Sequence, residues 1–275
     1  MPIWSRPDAT AVRDASATRR MMPLIMPTRN ESVVYFEQQV DVTALETALH
    51  SFREHTNQRA TILHAVLWNI ARIMAERPRL NRFVAGGRLW QRRGFWASFS
   101  AKKEKSDQGL LRVVKREIHA HHSFAENVRH IEEGIQHSKT AARTGTETEV
   151  SLLLLMPLVL LRVILRLQRW LDYWGLLPRV FIDNDPMYAS VFVANLGSLN
   201  MDAGYHHLYE YGNIPIFVVI GRVQEQTVLT SDGAPMTRRV ATLRFTFDER
   251  IEDGLYCARA LELLKQRLEQ PDWVS

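Results

Sequence analysis

The chain has 275 residues, 46% of them hydrophobic and 24% charged, with a formal net charge of +5. These are ordinary values for a globular protein with a substantial core, and one cysteine, Cys257, excludes an internal disulfide framework and suits a reducing compartment. Lys and Arg are dispersed along the chain without a zinc-finger, RRM or helix-turn-helix signature, so the basic balance assigns no nucleic-acid partner.

Residues 1–30 carry four prolines and little periodicity, and read as an irregular N-terminal arm; residues 31–275 form one domain. Arg19-Arg20 precede the run Met21–Met26, which is too short and too interrupted by proline to be an export signal, so the expected location is the cytoplasm. Alternation predicts a strand over Val33–Val40. Thr43-Ala-Leu-Glu46 has the pattern of a capping box opening a helix, and a second helix runs from Thr61 to Arg77, ahead of Pro78. Gly86-Gly87 join the strands Arg82–Ala85 and Arg88–Gln91 as a hairpin.

Phe95–Lys102 and Leu110–Ile118 read as strands, and a second box, Ser123-Phe-Ala-Glu126, opens a helix reaching about Ala142. Further strands are Ala189–Leu196, Ile214–Val223 and Val240–Phe247, before a closing helix over Leu255–Leu268. Helices and strands mixed without βαβ alternation indicate an α+β sandwich rather than a doubly wound nucleotide fold.

Residues 150–177 stand apart. Val150–Leu161 is almost wholly apolar, and Arg162, Arg166 and Arg169 then share one helical face. The uncharged run is shorter than the roughly 20 residues a spanning helix needs. Three readings are open: a helix buried in the core or a subunit interface, a basic amphipathic helix making peripheral contact with an anionic membrane, and an apolar wall around a long acyl chain.

The C-terminal third carries an ordered series of motifs. Val193-Ala-Asn195-Leu-Gly197 leads through Pro215 and Ile220-Gly221 to Asp248-Glu249-Arg250-Ile-Glu-Asp253-Gly254 and the last helix. Val40–Leu45, Thr61 and Arg77-Pro78-Arg79-Leu80-Asn81 precede it in matching order. This series resembles the catalytic domain of the 2-oxoacid dehydrogenase acyltransferases and, more distantly, chloramphenicol acetyltransferase. The resemblance implies a two-layer α+β sandwich with a mixed sheet, a coenzyme A thioester as co-substrate, no metal, and a homotrimer with sites between subunits. The lipoyl and subunit-binding domains that precede such cores have no counterpart in this sequence.

In that family a motif histidine is the general base, a serine or threonine on the neighbouring subunit steadies the oxyanion, and a motif aspartate holds the loop through an arginine. Carried over by position, the base is Glu249, the oxyanion residue is Ala194 and the aspartate is Asp253. Both chemical side chains therefore depart from the pattern. A carboxylate can still act as a base where burial raises its pKa. Ser190, on the strand face of Ala194, and Tyr205, His206 and His207, in the following loop, are candidates to replace the lost groups.

Two functions remain: transfer of an acyl group to a small or lipid-like acceptor, with Glu249, His206 or His207 as base, and a non-catalytic relative that binds acyl ligands or acts as a scaffold. Lys102, Lys103 and Lys105 could meet a coenzyme A phosphate, or be a solvated strand end. His119, His121 and His122 lack partners spaced to complete a metal site, and His64 reads as a helix residue.

Overall fold

A computed structural model describes residues 5–102, 111–140, 156–229 and 232–274. Its frame is a six-stranded mixed sheet in the order β2-β9-β8-β7-β5-β6. The strands are β2 (Val33–Asp41), β5 (Trp96–Lys102), β6 (Leu111–Glu117), β7 (Val191–Asn195), β8 (Ile216–Leu229) and β9 (Pro235–Asp248). β7 runs parallel to both β5 and β8, and the other neighbours are antiparallel. A small antiparallel sheet pairs β4 (Arg88–Arg92) with β1 (Ala9–Ala11) and β3 (Arg82–Ala85).

Strand alternation sorts the large sheet into two faces. Val191, Val193, Val218, Ile220, Leu243, Phe245 and Phe247 point into the main core. They pack there with Leu45 and Leu49 of α2 (Thr43–Thr56), Val66 and Leu67 of α3 (Ile62–Glu76), Ile131 of α4 (Phe124–Thr140), and Leu261 and Leu264 of the last helix, Gly254–Glu269. Each such side chain contributes about 1.5–3 kcal/mol when fully buried. Phe192, Phe217 and Val219 face the other way, where the loop 200–215 supplies Ala203, Leu208 and Ile214 to a second apolar cluster.

The motif glycines follow from close backbone approach. A Cβ on Gly197 would lie 2.4 Å from the carbonyl oxygen of Gly221, and one on Gly221 would lie 2.7 Å from the amide of Ala203. The register shift between Ile220 and Val223 marks a bulge at this point in β8.

Several expectations are corrected. The arm at residues 1–30 contains β1 and a helix, α1 (Ala17–Ile25), because β1 finds an open edge on β4. The capping box at Thr43 does not form. The Thr43 hydroxyl donates to Asp41 at 2.6 Å and accepts from the Arg239 amide at 3.0 Å, while Glu46 pairs with Arg239. Tertiary partners from β9 thus take both side chains. The box at Ser123 is present, with Glu126 accepting from the Ser123 amide at 2.7 Å, and Thr61 forms an equivalent box with His64.

The apolar segment yields helix α5 (Leu158–Tyr173), followed by a short α6 (Arg179–Asn184); the final helix is α7. No residue of α5 is buried, so its reading as a core helix does not hold within this chain. Residues 144–148, 150–155, Lys103 and Lys105 lie outside the described residues. Among the described residues no helix is long and apolar enough to cross a membrane.

Candidate active site

β9 ends in a loop fixed by two ionic clusters. Arg250 grips Asp248 with both arms of its guanidinium, at 2.8 and 2.7 Å, and both groups are buried. Such planar, bidentate pairing is the strong form of charge-assisted hydrogen bond. Ser32 donates to the same carboxylate, and Arg250 donates onward to the carbonyls of Met26 and Pro27, tying the loop to the arm. Two residues after Arg250, the buried Glu252 meets Arg82 at 3.1 Å, Arg79 at 3.4 Å and Arg19 at 4.0 Å. The second cluster does not follow from local sequence alone, because its three arginines arrive from other elements.

Glu249 sits between these clusters. Its amide donates to Ser32 O at 2.9 Å and its carbonyl accepts from Arg19. The peptide is therefore held from both sides, while the side chain is half-buried. Asp253 does something different from what the resemblance implies. It caps α7 by accepting from the Tyr256 amide at 2.8 Å, and that bond holds its carboxyl below the usual range. The loop-holding arginine contacts belong to Asp248 and Glu252 instead.

The second group of candidates lies on the outer face of the sheet. Phe192 and Phe217 stack at 4.8 Å, and the His206 ring lies flat on Phe217 at 3.9 Å. His206 Nδ1 is 2.7 Å from the carbonyl oxygen of His207. A carbonyl can only accept, which assigns the ring proton to Nδ1 and leaves Nε2 with its lone pair. Burial lowers the pKa of this imidazole, favouring the neutral form. The Thr246 hydroxyl donates to His206 O, so β9 itself positions the histidine. His207 is exposed and stacks on His206 at 4.9 Å.

The other hydroxyls are already engaged. Ser190 is fully buried and accepts from the Trp96 amide at 3.1 Å. Tyr205 lies under the Arg244 guanidinium at 4.0 Å and donates to Glu37 at 3.1 Å. Ala194 is half-buried against the outer cluster. It is in register with Val219, which is in register with Arg244, five positions before Glu249. At about 3.3 Å per residue, positions 194 and 249 are separated by roughly 16 Å along the strands alone. They do not meet within one chain.

Beside the Asn195–Gly197 turn a cavity of about 300 Å³ opens between sheet and helices, lined in part by Glu46, Arg53, Thr61, Asn195 and Ser198. Neither Glu249 nor His206 lines it. His119, His121 and His122 cluster at steep ring angles with centres 4.6–5.5 Å apart, but among the described residues no group of three His, Cys, Asp or Glu could hold a metal ion. His64 is buried in its capping box, and burial pushes the Cys257 thiol up to about 12, which makes it a poor nucleophile.

Comparison with known proteins agrees with this architecture. Residues 184–274 match the family model of the 2-oxoacid dehydrogenases acyltransferase (catalytic domain). A probable dihydrolipoamide acetyltransferase from Listeria monocytogenes superposes with a TM-score of 0.62 at 16% identity, covering 95% of each chain. The dihydrolipoamide acetyltransferase of Azotobacter vinelandii, studied for a serine, a histidine and an asparagine in its catalytic mechanism, gives 0.62 at 15% identity, over 96% of this chain and 93% of that one. A chloramphenicol acetyltransferase gives 0.55 at 12% identity, over 97% and 100%. No curated protein sequence matches at significant similarity. The fold is that of the chloramphenicol acetyltransferase-like α+β sandwich, and the C-terminal third resembles the acyltransferase catalytic domain in sequence as well.

Proposed function

We propose that this chain transfers an acyl group from a coenzyme A thioester, or a related thioester, to a hydroxyl or thiol acceptor, with His206 as the base. The observation that carries this reading is the Nδ1 contact to the His207 carbonyl, which fixes the tautomer and aims basicity at Nε2. Nε2 takes the proton from the acceptor as its oxygen or sulfur attacks the thioester carbonyl carbon. The tetrahedral intermediate then collapses, the carbon–sulfur bond breaks, and the departing thiolate receives the proton from the imidazolium. Ala194 offers no hydrogen bond to the oxyanion, so turnover is expected to be slow by about 10²–10³ relative to a site that keeps that donor.

Glu249 is the second candidate base, placed by motif position rather than by a fixed hydrogen-bonding geometry. With Glu249 as base, the separation of positions 194 and 249 within one chain supports a homotrimer in which neighbouring subunits complete the site. One solved relative is the cubic core of a pyruvate dehydrogenase multienzyme complex.

The test is release of free coenzyme A from short- and long-chain acyl-CoAs by the native protein and by His206→Gln and Glu249→Gln. His206→Gln should lower kcat/KM at least 100-fold while Glu249→Gln stays within a few-fold. The opposite order makes Glu249 the base. Saturable acyl-CoA binding with no turnover in any variant establishes the non-catalytic, ligand-binding function, which the engaged state of Ser190 and Tyr205 favours.

A further inference from the structure

Helix α5 lies on the protein with its apolar side outward. Only Leu161, Ile164, Gln168, Leu171 and Asp172 are half-buried on its inner side. Leu171 packs against Leu177, Ile182 and Tyr188, Gln168 donates to the Tyr211 hydroxyl, and Asp172 reaches Arg6 at 2.8 Å. The opposite side presents Val159 at 72% exposure, Val163 at 53%, Leu167 at 53% and Trp170 at 54%. At 100° per residue these four fall within an arc of about 80°. Arg162, Arg166 and Arg169, all exposed, occupy the adjoining arc. Past the end of the helix, the Gly86-Gly87 turn abuts Tyr173 on one side and Leu24 of α1 on the other. Met21, Leu24 and Ile25 of α1 are exposed as well.

We propose that this face docks on the anionic surface of a lipid bilayer, with α5 lying parallel to the membrane plane. Soluble chains rarely expose so continuous an apolar stripe without something to cover it, and charge decides what covers it. The one acid of α5, Asp172, is turned inward onto Arg6, so the exposed side carries three arginines and no carboxylate. An antiparallel two-fold pairing of this face would set the arginine rows of two copies against each other. An anionic bilayer answers both features: acyl chains take Val159, Val163 and Leu167, lipid phosphates take the arginines, and Trp170 and Tyr173 suit the headgroup boundary.

The experiment is flotation of the native chain with phosphatidylcholine vesicles and with vesicles containing phosphatidylglycerol, at low and high salt. The expected result is flotation with the anionic vesicles that weakens with salt. Replacing all three arginines (R162Q, R166Q and R169Q together) should cut partitioning on the order of 100-fold, since each cation near an anionic surface contributes several-fold. Leu167→Glu with Trp170→Glu should abolish flotation while circular dichroism and melting temperature stay native, because both side chains are exposed. The proposal is overturned if the native chain stays with the unbound fraction at low salt, or if it floats equally with neutral vesicles. It is also overturned if the double glutamate variant changes the oligomeric mass, which would make the face a protein interface. These vesicles carry no thioester, so the outcome is independent of the proposed acyl transfer.

Discussion

Asp253 and Glu252 are neighbours in sequence, yet they do separate work. Asp253 is exposed and caps a helix, whereas Glu252 is buried among arginines from three other parts of the chain. Asp253→Ala should cost about 1 kcal/mol in urea unfolding, and Asp253→Asn much less, since an amide oxygen can still accept from Tyr256. The folded-state carboxyl ionises below its ordinary value, chiefly through the Tyr256 amide. Its contribution is therefore complete above about pH 4 and is lost as pH falls through the lowered value. A pH series comparing native and D253A proteins should show their stabilities converging in acid. The resemblance gave Asp253 a loop-holding role through an arginine, and its place as the N-cap of α7 emerged only in the structure. The arginine cage of Glu252 was not legible in the sequence, because Arg19, Arg79 and Arg82 lie some 170 to 233 positions away.

At the scale of elements, strands with a buried face were readable, and their solvent-exposed extensions were not. β8 begins with six buried residues, which gave the apolar pattern, and then continues through Gln224, Glu225 and Gln226 to Leu229, which did not. Pairing with β9 as far as Pro235 supplies the missing signal from outside the segment. The C-terminus behaves similarly. Trp273 follows the last helix in a stretch without periodicity, yet its ring packs on Trp68 at 4.8 Å and on Phe124 at 5.1 Å, while Arg267 O accepts from its indole. This aromatic clasp joins α3, α4 and the chain end. Trp273→Ala should therefore destabilise by about 2 kcal/mol, through lost burial and ring contacts. For a chain of this size that corresponds to a fall of roughly 4–8 °C in Tm by differential scanning calorimetry.

For the whole molecule, the ordered motif series identified the architecture. A helical layer on one face and a loop-covered apolar layer on the other leave Ala194 and Glu249 far apart in one subunit. Light scattering at micromolar concentration should give a mass near three times the 31.8 kDa chain; a monomer would remove the intersubunit site from the proposal. Sequence could not place α5, because an apolar helix with interspersed arginines has the same pattern whether it faces a core, a partner or a lipid.

Cys257 gives the molecule a practical property. The single thiol sits on the buried face of α7, and burial keeps it protonated at neutral pH. Maleimides should leave the folded protein unmodified, so one cysteine engineered at any exposed site would accept a spin label or fluorophore without background. Placed along α5, such a probe would report immersion depth residue by residue, with no need to remove the native thiol.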